Sequence, residues 1–104
     1  MIDIYYDPIN GRTMPDSHML KYCTENVQKI EHLDIVGSEL LMLTYRYAMK
    51  VNNIPHDTIR FHFVEDGKEH LMGLCSGYAL CYVDENQSTW PYPDFHIKMM
   101  MELL

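Results

Sequence analysis

Residues 34–53 read DIVGSELLMLTYRYAMKVNN, and the interpretation of this stretch decides the fold. Ser38 is a good helix cap, because its hydroxyl accepts a hydrogen bond from a backbone N–H two or three positions on. The pattern predicts a helix from Glu39 to about Val51. Leu40, Leu41, Met42, Leu43, Tyr45, Tyr47, Ala48, Met49 and Val51 leave a thin polar stripe of Glu39, Arg46, Lys50 and Asn53. A helix apolar over most of its circumference belongs inside a protein. It needs cover on at least two sides, and Arg46 with Lys50 is expected to mark its wet edge.

Upstream, Pro15 precedes Asp16 and Ser17, either of which can cap a first helix. Met19, Cys23, Val27 and Ile30 recur at helical spacing, and Glu25 with Lys29 forms a favourable surface pair. A short break near Leu33-Asp34 then makes the two helices an antiparallel hairpin. Further upstream, Ile2, Ile4 and Tyr6 alternate with Asp3 and Tyr5, which predicts a short first strand. Pro8 ends that strand or makes it an edge, and Asn10-Gly11 signals a turn.

Downstream, Asn52 to Pro55 stops the central helix. Strands are expected over residues 58–64, 68–75 and 78–83, joined by turns at Asp66-Gly67 and Ser76-Gly77. In the tail, Phe95, Ile97, Met99, Met101 and Leu103 alternate as a strand would. A helix also fits, since Phe95, Met99 and Leu103 share a face; the strand is the preferred expectation.

Two-residue turns fix the residues that stand opposite one another. The first turn pairs Phe63 with His70, Phe61 with Met72 and Ile59 with Leu74. The second pairs Leu74 with Ala79, Met72 with Cys81 and His70 with Val83. One face then carries Ile59, Phe61, Phe63, Met72, Leu74, Ala79, Cys81 and Val83, a coherent core. The other carries Arg60, His62, Val64, Glu69, Leu71, Cys75, Tyr78, Leu80 and Tyr82. Mixed aliphatic, aromatic and arginine patches of this kind suit protein interfaces.

The chain has 104 residues and is read as one domain, 1–104. Its net charge is −7, and residues 58–104 hold seven acidic against three basic side chains. No basic patch exists to neutralise phosphates, which argues against direct nucleic-acid binding. A protein partner with a basic surface is compatible. No apolar run is long enough to span a membrane. Three cysteines without a recognisable signal peptide lead to the expectation of reduced thiols and a cytoplasmic protein.

Residues 73–77 match the G-x-C-x-G pattern of a cysteine nucleophile on a strand-to-helix elbow, but a strand, not a helix, is expected to follow Cys75. His62 could serve that thiol and Arg60 could hold an anion, the alternative reading of a small enzyme or ligand binder. Metal-ligand spacings such as C-x-x-C or H-E-x-x-H are absent, and no cofactor is expected. Rigid aromatics Trp90 and Tyr92, between prolines and near acidic Asp84, Glu85 and Asp94, would suit docking on a basic protein.

The fold expected is α+β: an antiparallel sheet of four or five strands, with an N-terminal helical hairpin on one face. The function expected is a small acidic, non-catalytic protein-binding protein. It would inhibit or sequester a partner, in the manner of an immunity or phage anti-defence factor. A homo-oligomeric structural protein is a further alternative. The interface candidates are Arg60, His62, Leu71, Tyr78, Leu80, Tyr82, Asp84, Glu85, Trp90 and Tyr92.

Overall fold

The computed structural model describes residues 1–65, 67–74, 78, 80–82 and 95–104. In chain order the elements are β1 (Ile2–Tyr6), α1 (Asp16–Val27), β2 (His32–Val36), α2 (Glu39–Val51), β3 (Ile59–Glu65), β4 (Lys68–Leu74), β5 (Leu80–Tyr82) and α3 (Phe95–Leu103). The strands form one five-stranded sheet in the order β2-β1-β3-β4-β5. β1 runs parallel to both β2 and β3, whereas β3, β4 and β5 are successively antiparallel. The mixed α+β character agrees with expectation; a purely antiparallel sheet does not.

The helices are not an N-terminal hairpin. The chain opens with a strand, and β2 separates α1 from α2. The reason lies in an inverted pattern. His32, Asp34 and Val36 share the covered side of β2, with Asp34 and Val36 buried, while Leu33 and Ile35 face out. A strand with a carboxylate inside and aliphatics outside does not advertise itself by alternation. The tail is also a helix, α3, so its apolar alternation was subordinate to the i, i+4 relation of Phe95, Met99 and Leu103.

Ser38 adopts an extended backbone and its Oγ accepts from the Leu41 N–H at 3.3 Å, which starts α2. Leu41, Met42, Tyr45, Ala48 and Met49 are fully buried on one side of the helix. They meet Met19, Cys23 and Val27 of α1 and the sheet residues Ile2, Ile4, Tyr6, Ile59, Phe61, Phe63 and Met72. Fully burying one such aliphatic side chain stabilises by roughly 1.5–3 kcal/mol. The two covers that α2 required are thus α1 and the sheet. Arg46 is buried, not a wet edge; its Nη1 donates to the Tyr78 carbonyl at 3.1 Å. Ile30 lies beyond the end of α1 and is 90% exposed. Asp16 is the first helical residue, and no side chain caps α1.

Both helices pack against each other and on the same face of the sheet. β2 and β3 lie on opposite sides of β1, so the β1–α1–β2 and β2–α2–β3 crossovers have opposite hands. Two right-handed crossovers, the strong preference, would place the helices on opposite faces. Here one face receives both helices, and the other receives neither.

Candidate functional site: the uncovered face of the sheet

The strand registers assemble this face from four strands. Tyr5 pairs with Ile35 on one side and His62 on the other, and His62 pairs with Leu71. The row Ile35–Tyr5–His62–Leu71 therefore crosses the sheet, spanning roughly 14 Å at ordinary strand spacing. Beside it runs Leu33–Asp3–Arg60, and on its other side stand Val64 and Glu69. Leu33 is 61% exposed, Ile35 45% and Leu71 53%.

The polar centre of the face is held by one carboxylate. Arg60 donates from Nε to Asp3 Oδ1 at 2.9 Å and from an Nη to Oδ2 at 3.2 Å. Such a two-point contact fixes both side chains in the plane of the guanidinium. His62 Nε2 lies 2.8 Å from the same Oδ1. Its ring stacks on Tyr5, with centroids 4.3 Å apart and planes 9° from parallel. Glu69 stands on the other side, 2.8 Å from Nδ1 but out of line for a hydrogen bond. The Arg60 hydrogen bonds hold the Asp3 carboxyl below its usual range; His62 acts in the same direction and partial burial opposes both.

This geometry bears on catalysis. Arg60 and His62, proposed above as anion contact and acid–base group, are both joined to Asp3, Arg60 through Nε and one Nη and His62 through Nε2. Cys75, their would-be nucleophile, lies outside the described residues. Among the described residues no group of three or more His, Cys, Asp or Glu is arranged to hold a metal ion. No helix among them is long and apolar enough to cross a membrane.

Arg60, His62 and Leu71 occupy this face as the hairpin register predicts. Tyr78 does not. It sits half-buried against the core, and its hydroxyl donates to the Ile54 carbonyl at 2.8 Å. The β4–β5 register differs by one residue from expectation, pairing Leu74 with Leu80 and Met72 with Tyr82. A one-residue slip exchanges faces, so Leu80 and Tyr82 take register positions on the covered side. Asp84, Glu85, Trp90 and Tyr92 lie outside the described residues. Asp3, Tyr5, Leu33 and Ile35 were missed, because their neighbours come from parallel pairings far apart in sequence.

A second polar cluster lies beneath the helices. Asp34, buried, accepts from the hydroxyls of Tyr22 at 2.7 Å and Tyr45 at 2.5 Å. Asn26 donates to the Tyr45 hydroxyl at 2.8 Å, and Arg12 Nε lies 3.3 Å from Asp34. Burial first, and then the Asp34 carboxylate, raise the pKa of both tyrosines. These groups satisfy one another and read as a structural knot.

No protein-family model, no curated protein and no solved structure matches the chain.

Proposed function

We propose that this is a protein-binding protein that docks through the uncovered sheet face and acts by occluding or sequestering its partner. The observation that carries the reading is the exposure of Leu33, Ile35 and Leu71 around a pre-ordered Asp3–Arg60–His62 centre. Exposed aliphatics ringing a rigid arginine and aromatic centre have the composition of an interface. The ionic groups are already paired, so little side-chain ordering remains to oppose association. The net charge of −7 favours encounter with a basic surface.

Site-specific photo-crosslinking in the native cell tests this. A photoreactive residue at Leu71 or Leu33 should capture one heterologous protein, and adding Ile35→Asp should abolish the adduct. The same residue placed at Lys50, on the helix side, should capture none. An adduct only with the chain itself, or no adduct, would overturn the reading.

A further inference from the structure

The strand register sets His62 between two carboxylates, one from each neighbouring strand. Tyr5 of β1 and Leu71 of β4 stand directly opposite His62. Asp3 and Glu69 come two positions before them on the same face, within diagonal reach of the ring. Asp3 Oδ1 meets Nε2 and Glu69 Oε1 meets Nδ1, both at 2.8 Å.

The two contacts are not alike. A carboxylate only accepts, so Nε2 carries the proton that Asp3 receives. The Arg60 hydrogen bonds keep Asp3 ionised for that role. In the neutral ring Nδ1 is then a bare lone pair. It is buried, in a side chain only 9% exposed, and it has no hydrogen-bond partner among the described residues. Glu69 Oε1 is an acceptor too, and two acceptors this close repel unless positive charge lies between them. A proton on Nδ1 would supply charge without a hydrogen bond, because Oε1 is out of line. A metal ion supplies both charge and geometry. At ligand distances of about 2.0–2.2 Å, a nitrogen and an oxygen 2.8 Å apart subtend roughly 85° at the metal. That near-right angle is the one between adjacent ligands of an octahedral shell.

We infer that His62 Nδ1 and Glu69 Oε1 hold a divalent first-row transition ion, with Asp3 as the outer carboxylate that orients the imidazole. Metal-binding histidines commonly donate their other ring N–H to a carboxylate in this way, which fixes the tautomer. An imidazole with a carboxylate suits zinc, nickel or copper better than magnesium or calcium, which take oxygen ligands. The described residues supply two ligands, so water fills the other positions and the ion exchanges readily. Glu69 is 53% exposed, which leaves a way in. The ion needs no partner protein, so this site stands apart from the docking reading.

Calorimetric titration of the purified, chelator-treated chain with zinc chloride tests the inference, together with nitrogen NMR of the histidine rings. Zinc should bind saturably and move the His62 Nδ1 resonance, while Nε2 keeps its proton. Glu69→Gln, a shape-preserving change at an exposed position, should weaken binding by about tenfold or more. His18→Gln and His56→Gln, at exposed histidines elsewhere, should leave it unchanged. Zinc that shifts only other histidine rings, or an affinity indifferent to Glu69→Gln, would overturn the inference. So would a His62 ring that carries protons on both nitrogens at neutral pH and keeps them in excess zinc.

Discussion

At the scale of single residues, two buried groups carry the clearest consequences. Tyr45 donates to Asp34 and accepts from Asn26 in the interior. Tyr45→Phe leaves both without that partner, and a hydrogen bond to a charged group contributes about 1.5–3 kcal/mol. Urea denaturation should show a loss in that range, and a smaller one for the more exposed Tyr22→Phe. Cys23 gives a pH signature. Its thiol ionises near 9 in the unfolded chain, and burial, helped by nearby Asp34, pushes it up to about 12 in the fold. Between those values the unfolded chain has released a proton that the folded chain retains. Stability is therefore intact below pH 9 and falls as pH rises toward 12. Tyr22 and Tyr45, also raised, steepen the fall above pH 10. Chemical denaturation across this range should show a shallower decline for Cys23→Ala, whatever its stability at pH 7; an unchanged slope would assign the effect elsewhere. The burial of Cys23 was legible from its helical spacing with Met19 and Val27. The Asp34 knot was not, because its members reach one another only through the packing of α1 and α2 over β2.

At the scale of elements, the edge strand β2 shows how the sheet is protected from adding strands. The Ile35 N–H is taken by the Asp34 side chain at 3.0 Å. Its carbonyl accepts from the Arg12 N–H, and the Gly37 N–H donates to the Arg12 carbonyl, both at 2.8 Å. Blocking ladder groups in this way blunts an edge. The strap formed by residues 7–12 reaches β2 only because Gly11 and Gly37 touch. A Cβ on Gly11 would lie 2.2 Å from the Val36 carbonyl carbon and 2.4 Å from the Gly37 nitrogen. Backbone cannot yield as a side-chain tip does, so Gly11→Ala should cost about 3 kcal/mol and make Ile35 exchange its amide hydrogen faster. Ser38→Ala should remove about 1 kcal/mol by uncapping α2. The cap, the β3–β4 register and the extent of α2 were readable because each is set by adjacent residues. β2 was not, since its burial is opposite to what its hydropathy suggests. α3 was ambiguous because its apolar residues satisfy both periods.

At the scale of the molecule, the opposite hands of the two crossovers put both α1 and α2 on one face of the sheet and neither on the other. Core and candidate site are therefore separated by the thickness of a single sheet. Alternate residues of β3 serve each: Phe61 and Phe63 are buried beneath the helices, while exposed Arg60 and His62, buried among its neighbours, lie on the opposite face. Half of this was visible in the sequence, because the hairpin alone sorts β3 and β4 into two faces. The half built by β1 and β2 depends on parallel pairings that no local pattern encodes. The separation has a consequence that distinguishes binding from stability. Leu71 and Leu33 are largely exposed, so replacing either by Lys removes little buried surface. Each change should alter unfolding free energy by no more than about 0.5 kcal/mol. Phe61→Ala, two positions along β3 from Phe63, empties a fully buried site and should cost about 3–5 kcal/mol. If the sheet face is the docking surface, Leu71→Lys and Leu33→Lys should abolish crosslinking to the partner while thermal and urea transitions stay in place. A large stability loss in either variant would mean that the face is structural, covered by another part of the chain, and would remove the basis for assigning it to a partner.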